Sequence, residues 1–175
     1  MTQRLLRLPS ILLVLAAFAL AAAQDRPATI ADAIRAEPEL AELASLLEES
    51  GLLDDLAGPM RFTFFAPSDR ALERLDPATH ELLLRDRGAL DLIVRHHVVM
   101  GASPLAALRR LDALTTLEGT HLKVTDVAGT VRVGGTRLAG DGVVTGNGVL
   151  YVVHRVLLPD AATMRKDLLG GPPTP

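Results

Sequence analysis

Asp112 divides this chain into two stretches with different punctuation, and the division limits the folds open to it. Before it, prolines and hydroxyl or acid caps open runs in which leucine recurs every three or four residues. After it, glycines interrupt short runs of valine, threonine and leucine. The first pattern is helical, and the second belongs to strands joined by tight turns. Helices followed by strands, instead of the two in alternation, predict an α+β domain and not a parallel α/β sheet. The 175 residues contain no internal repeat and are of single-domain size. Trp is absent and only one Tyr and four Phe are present, so the core has to be built from Leu, Val, Ile and Ala.

In the helical part, Thr29 is a candidate N-cap with Asp32 three residues on, close to a capping box. Pro38 opens a second run in which Leu40, Leu43, Leu46 and Leu47 form an apolar face that closes near Gly51. Glu42, Glu48 and Glu49 read as its solvated side. The Arg61 to Phe65 stretch is extended, with Phe62 and Phe64 on one side and Thr63 and Phe65 on the other. Ala66-Pro67 stops it, and Ser68 before Asp69 is placed to cap a helix through Ala71 and Leu72. Further helices are expected over 78–84, 88–96 and 103–111. In the strand part the runs are 121–127, 130–133 and 149–158, with turns at Gly129, Gly134-Gly135, Gly140, Gly142, Gly146 and Gly148.

Residues 1–23 read as a transport signal. Arg4 and Arg7 precede an apolar run from Ile11 to Leu20, and Ala21-Ala22-Ala23 supply the small residues at which a signal is cut, leaving Gln24 first. The run is too short for a retained membrane anchor. The formal charge of the whole chain is −3, and losing two arginines makes the remainder more negative. Such a balance does not suggest nucleic-acid binding, and too few aromatic rings exist for a base-stacking platform. Without cysteine there is no disulfide framework, thiolate metal site or lipid-modified N-terminal cysteine. Residues 24–28 form a short N-terminal segment, 29–159 the domain, and 160–175 a tail ending in Gly and Pro.

No catalytic constellation is legible. The histidines at 80, 96, 97, 121 and 154 lack the three- or four-residue spacing of helical zinc ligands, and no cofactor or metal is expected. Nucleophile-elbow, phosphate-loop and dinucleotide-binding patterns are absent. Gly146-Asn147-Gly148 is a turn signal. Asp54-Asp55 reads as a solvated pair near a helix end. On a helical projection His97 lies in the middle of the apolar face made by Leu90, Ile93 and Val94, whereas His96 lies nearer its edge. His97 is therefore expected to be buried and hydrogen-bonded, and His96 to be the more exposed. Phe65 and Val152 are expected to meet in one continuous core.

Three segments in order resemble the fasciclin (fasciclin I) family. Phe62 to Leu72 is similar to the signature Thr-x-Phe-Ala-Pro-Ser/Thr-Asp/Asn-x-Ala-Phe/Leu, through Thr63, Phe65, Ala66, Pro67, Ser68, Asp69, Ala71 and Leu72. Leu92 to Val99 resembles the Tyr-His-Val-Val segment, with His96 where Tyr is common and His97 following. Gly146 to Pro159 is similar to Asn-Gly-Val-Ile-His-Val-Ile-Asp-x-Val-Leu-Leu-Pro, beginning at Asn147 and Gly148. Here Tyr151 stands where the family often has His, and His154 where it often has Asp.

The resemblance implies a wedge of two small β-sheets with helices around it. It also implies a secreted or periplasmic, non-enzymatic role in adhesion or in contact with a protein or polysaccharide of an envelope or matrix. The motif positions themselves read as mainly structural. A carrier of an apolar small molecule, held in a groove between the small sheets, is the alternative.

Overall fold

A computed structural model describes residues 27–159. The expected signal, most of the segment 24–28 and the tail 160–175 lie outside the described residues. Helix α1 (Ile30–Ala36) opens on a complete capping box, in which Thr29 Oγ1 accepts from the Asp32 amide at 3.1 Å and Asp32 Oδ2 accepts from the Thr29 amide at 3.0 Å. A 3-10 turn over Pro38–Leu40 leads into α2 (Ala41–Ser50), which stops at Gly51 with φ 75° and is followed by α3 (Leu52–Leu56). Strand β1 (Phe62–Pro67) gives way to α4 (Asp69–Leu72). Ser68 occupies the α4 cap position, but its hydroxyl makes no capping bond and is buried without a hydrogen-bond partner among the described residues. The Asp69 carboxylate caps a different helix, accepting from the Glu42 amide in the first turn of α2 at 3.0 Å.

Helix α5 (Pro77–Arg85) is capped by Asp76, and α6 (Arg87–His97) by Asp86, whose Oδ1 accepts from the Gly88 and Ala89 amides at 2.8 and 3.1 Å. Strand β2 (Val98–Met100) follows directly. Helix α7 (Leu105–Leu108) is shorter than the expected 103–111.

Strands β3 (Ala113–Thr115), β4 (His121–Val127), β5 (Thr130–Val133), β6 (Thr136–Thr145) and β7 (Gly148–Val153) complete the sheet. Strands β4 and β5 coincide with the expected runs, whereas β7 ends at Val153 instead of Leu158. Gly140 and Gly142, expected to be turns, lie inside β6. The ladder with β7 slips between Ala139 and Val143, and the two glycines take the positive φ that this irregularity demands. Gly142 also makes room for Tyr151, since a Cβ there would lie 2.5 Å from the ring.

The seven strands run in the order β2-β1-β7-β6-β5-β4-β3, all antiparallel except the β1–β7 pair. The expected α+β class holds. The sheet is continuous through β6, which pairs through Thr136 and Arg137 with β5 and from Leu138 onward with β7. The sheet curls far enough for Val99 of β2 to bridge Thr116, just past β3, and for Val98 O to accept from the Leu117 amide at 2.8 Å.

Two cores follow from this curl, because successive strand residues face opposite ways. On the helix-covered face, Phe62, Phe64, Ala66, Val98 and Leu150 pack against α1, α2, α3 and α6. Inside the curl, Phe65, Val99, Leu122, Val131, Val133 and Tyr151 pack together, with Leu108 and Leu157 completing the cluster. The single core expected to join Phe65 to Val152 is corrected accordingly. Phe65 lies opposite Tyr151 in the parallel register, and Val152 lies opposite Ala66, which places half-buried Val152 against the helix-covered core. Burying a large side chain such as Phe64 or Phe65 contributes about 1.5–3 kcal/mol.

Candidate functional site

The three motif segments, distant in sequence, become neighbours: β2 continues the second, β1 the first and β7 the third, in the spatial order β2-β1-β7. Their polar groups are taken up by the fold. Thr63 is buried, donates from Oγ1 to Gly101 O at 2.6 Å and accepts from the Ser103 amide at 2.8 Å. Tyr151 stacks on Phe65 with ring centroids 5.7 Å apart and donates its hydroxyl to Ser103 O at 2.9 Å. Burial, with the nearby Asp141 charge adding to it, pushes the Tyr151 hydroxyl up to about 12. Together Thr63 and Tyr151 fasten the link between β2 and α7 to the sheet.

Asn147 is a knot for the N-terminal part of the domain. Its Oδ1 accepts from the Ile30 amide at 2.8 Å and from Thr145 Oγ1 at 3.1 Å, and its Nδ2 donates to Leu56 O at 2.8 Å and Gly58 O at 3.0 Å. All four bonding directions of the amide are used. Gly148 beside it admits no side chain, because a Cβ would sit 2.0 Å from Phe62 O.

His97 is fully buried, and both ring nitrogens are committed: Nδ1–H donates to Ile93 O at 2.7 Å and Nε2 accepts from the Leu157 amide at 2.9 Å. The ring ties α6 to the segment after β7. Desolvation is the main reason that its pKa falls to about 4; the bond to Ile93 opposes the fall and nearby His96 adds to it. A neutral ring with both nitrogens occupied has no capacity left for proton transfer.

His96 differs. It is buried, and only slightly more exposed than His97, because the turn after β3 folds over it. Thr120 Oγ1 lies 2.9 Å from its Nδ1, and a Glu118 oxygen lies 3.2 Å from the same atom. The Glu118 side chain is 3% exposed, and neither of its oxygens has a hydrogen-bond partner among the described residues, so the approach to His96 is close but lacks hydrogen-bond alignment.

The His96 ring lines an open groove of about 590 Å³, along with His121, Lys123, Arg155 and the aliphatic surface of Leu122 and Val156. A second groove, of about 420 Å³, is lined by Arg74, Asp76 and His154, and Arg155, Val156 and Leu158 line both. Exposed His154 therefore stands apart from the buried motif residues. Of the polar motif positions His96 and His154 reach these grooves, alongside Ala71 and the Val156 to Leu158 end of the third segment. A smaller apolar recess of about 210 Å³ lies elsewhere, between Leu52 and Leu56, Met60, Phe62, Val94 and Val98, with Asp55, Asp91 and Arg95 at its rim. It is formed by helices and the end of the sheet, not between two sheets.

Among the described residues, no group of three or more His, Asp or Glu is placed to hold a metal, and no helix is long and apolar enough to cross a membrane. Sequence reasoning missed Glu118, Thr120, Lys123, Arg74 and Arg155. The one local signal was alternation along β4, where His121 and Lys123 face out between Leu122 and Val124.

The family model for the fasciclin domain matches residues 38–159. The chain is 27% identical over 143 residues to human periostin, covering 81% of this chain and 17% of that protein. It is 35% identical over 146 residues to the cell surface glycolipoprotein MPB83 of Mycobacterium bovis, covering 79% of this chain and 63% of that one. The chain thus spans a minor part of periostin and less than two thirds of MPB83. Its fold resembles that of a FAS1 domain pair from the insect cell adhesion molecule fasciclin I, with a TM-score of 0.67, 19% identity, and coverage of 81% of this chain and 53% of that one. With the signature segments side by side on three adjacent strands and the family model matched across most of the described residues, this chain belongs to the fasciclin domain family.

Proposed function

We propose that the protein is an exported, non-enzymatic module that holds a protein or polysaccharide of a cell envelope or matrix. The observation that carries this reading is the fate of the motif residues. Thr63, His97, Asn147 and Tyr151 spend their polar groups on bonds within the domain, so recognition falls to exposed surface laid over a rigid frame. A relative described as a cell surface glycolipoprotein and a structural neighbour described as a cell adhesion molecule support the location and the kind of work. The test compares envelope attachment or aggregation of cells with and without the protein, and of cells given the purified protein. Loss of attachment on deletion, restored by adding the protein, is expected; unchanged attachment in both arms refutes the reading.

A second reading is carriage of a small apolar molecule, favoured by the recess at Leu52, Met60 and Phe62. Its volume is below the usual range for drug-sized ligands, which restricts it to a short acyl or similarly slender group. Mass spectrometry of organic extracts from protein purified out of its own host decides this, and an empty extract refutes it.

A further inference from the structure

The chain as a whole is negative, yet the two grooves that share Arg155, Val156 and Leu158 in their linings carry exposed cations. Arg74, Lys123 and Arg155 are exposed there, and three of the five histidines, His96, His121 and His154, share the lining. The acidic side chain in the lining is Asp76, and its carboxylate already accepts from the Thr79 amide at 3.0 Å. The Glu118 carboxylate, with no hydrogen-bond partner among the described residues, is buried 3.2 Å from the lining residue His96.

We infer that these grooves form one binding track for an acidic polysaccharide, a chain of uronate-type sugars whose carboxylates meet Arg74, Lys123 and Arg155. The inference rests on the adhesion reading above and names its partner. Three features select this ligand. The cations are distributed over two grooves that share Arg155 in their linings, which suits a linear polyanion better than the surface of a folded acidic protein. Exposed Leu158, beside the almost fully buried Leu122 and Val156, gives an aliphatic patch against which the C–H face of a sugar ring can lie. Among the described residues no Phe, Tyr or Trp lines either groove, so the bases of a nucleic-acid strand have nothing there to stack on.

The experiment measures binding of the purified protein to a polyuronate oligomer, a neutral glucan of equal length, polyglutamate and oligothymidylate. The polyuronate should bind best, and its binding should weaken as salt rises, since exposed charge contacts are screened. The triple variant Arg74→Gln, Lys123→Gln and Arg155→Gln should bind it about tenfold more weakly, as expected when three surface charge contacts are lost. All three side chains are exposed, so its thermal midpoint should stay near that of the parent. The control Arg85→Gln, on the exposed side of α5 and paired with Glu81, should bind as the parent does. Equal binding by the triple variant, equal binding of the neutral glucan, or a preference for polyglutamate or oligothymidylate overturns the inference. Envelope attachment measured in parallel separates the two readings. If the triple variant attaches to cells as the parent does, the polysaccharide track falls and the adhesion reading stands. If the parent binds polyuronate but never attaches to cells, the adhesion reading falls and the track stands.

Discussion

His97→Gln isolates the acid sensitivity built into the join between α6 and the segment after β7. In the folded protein the His97 pKa falls to about 4 from the ordinary 6.5, chiefly because the ring is buried. Between these values the unfolded chain binds a proton that the folded one refuses, so stability falls as pH drops from about 6.5 to 4 and the penalty is complete below that. Above pH 6.5 the ring is neutral in both states and contributes nothing to the pH slope. A shift of this size corresponds to a loss of about 3 kcal/mol. Glutamine offers an acceptor to the Leu157 amide but does not titrate. The variant should therefore be less stable than the parent at pH 7, by about 1–2 kcal/mol for the lost packing and Ile93 bond. It should also lose less on acidification. Urea unfolding of both proteins at intervals from pH 7 to pH 4 measures the difference, in which the titrations common to both cancel. Parallel curves, or a His97 resonance titrating near the free value, would refute the account of a ring locked neutral by two bonds.

Phe65→Ala should cost about 3–5 kcal/mol in urea unfolding, whereas Val152→Ala, half-buried on the other face, should cost about 1 kcal/mol; equal losses would contradict the two-core arrangement. Asn147→Asp turns the donor aimed at Leu56 O and Gly58 O into an acceptor and should lower stability by several kcal/mol at neutral pH, read by thermal unfolding. Tyr151 is the chain's single tyrosine, so ultraviolet absorbance titration reports it alone: ionisation should begin near pH 12 in the folded protein and near 10 once the protein is unfolded in urea.

Local pattern carried the first layer of this fold well. The capping box at Thr29, the bounds of β4 and β5, and the burial of His97 follow from side-chain types within a few residues of each other. What escaped depended on partners far along the chain. Gly140 and Gly142 look like turn residues until β6 pairs with β7, where the slip in the ladder asks both for positive φ and Tyr151 leaves no room for a Cβ at Gly142. Val152 looks like core beside Phe65 until the parallel register turns it the other way. His96 sits at the edge of its helix's apolar face, and the Glu118–Thr120 turn that buries it is more than twenty residues away. Arg74, Lys123 and Arg155 lie on a loop after α4, on β4 and after β7, and no single window of sequence contains two of them.

The contact of Val99 with Thr116 bears on how this domain can be recognised. An edge strand normally offers a row of free amides and carbonyls, and many partners bind by adding a strand there. In this domain the two outermost strands lean on each other, with the Leu117 amide already satisfied by Val98 O. A peptide seeking main-chain pairing at that seam would first have to pry β2 from the residues that follow β3, exposing Val99 and the inner cluster to water. Recognition by strand addition is thereby discouraged at the seam, as is stacking of one copy onto the next. A partner that met this seam would be left to side-chain contacts, which surface substitution can change while the backbone stays as it is.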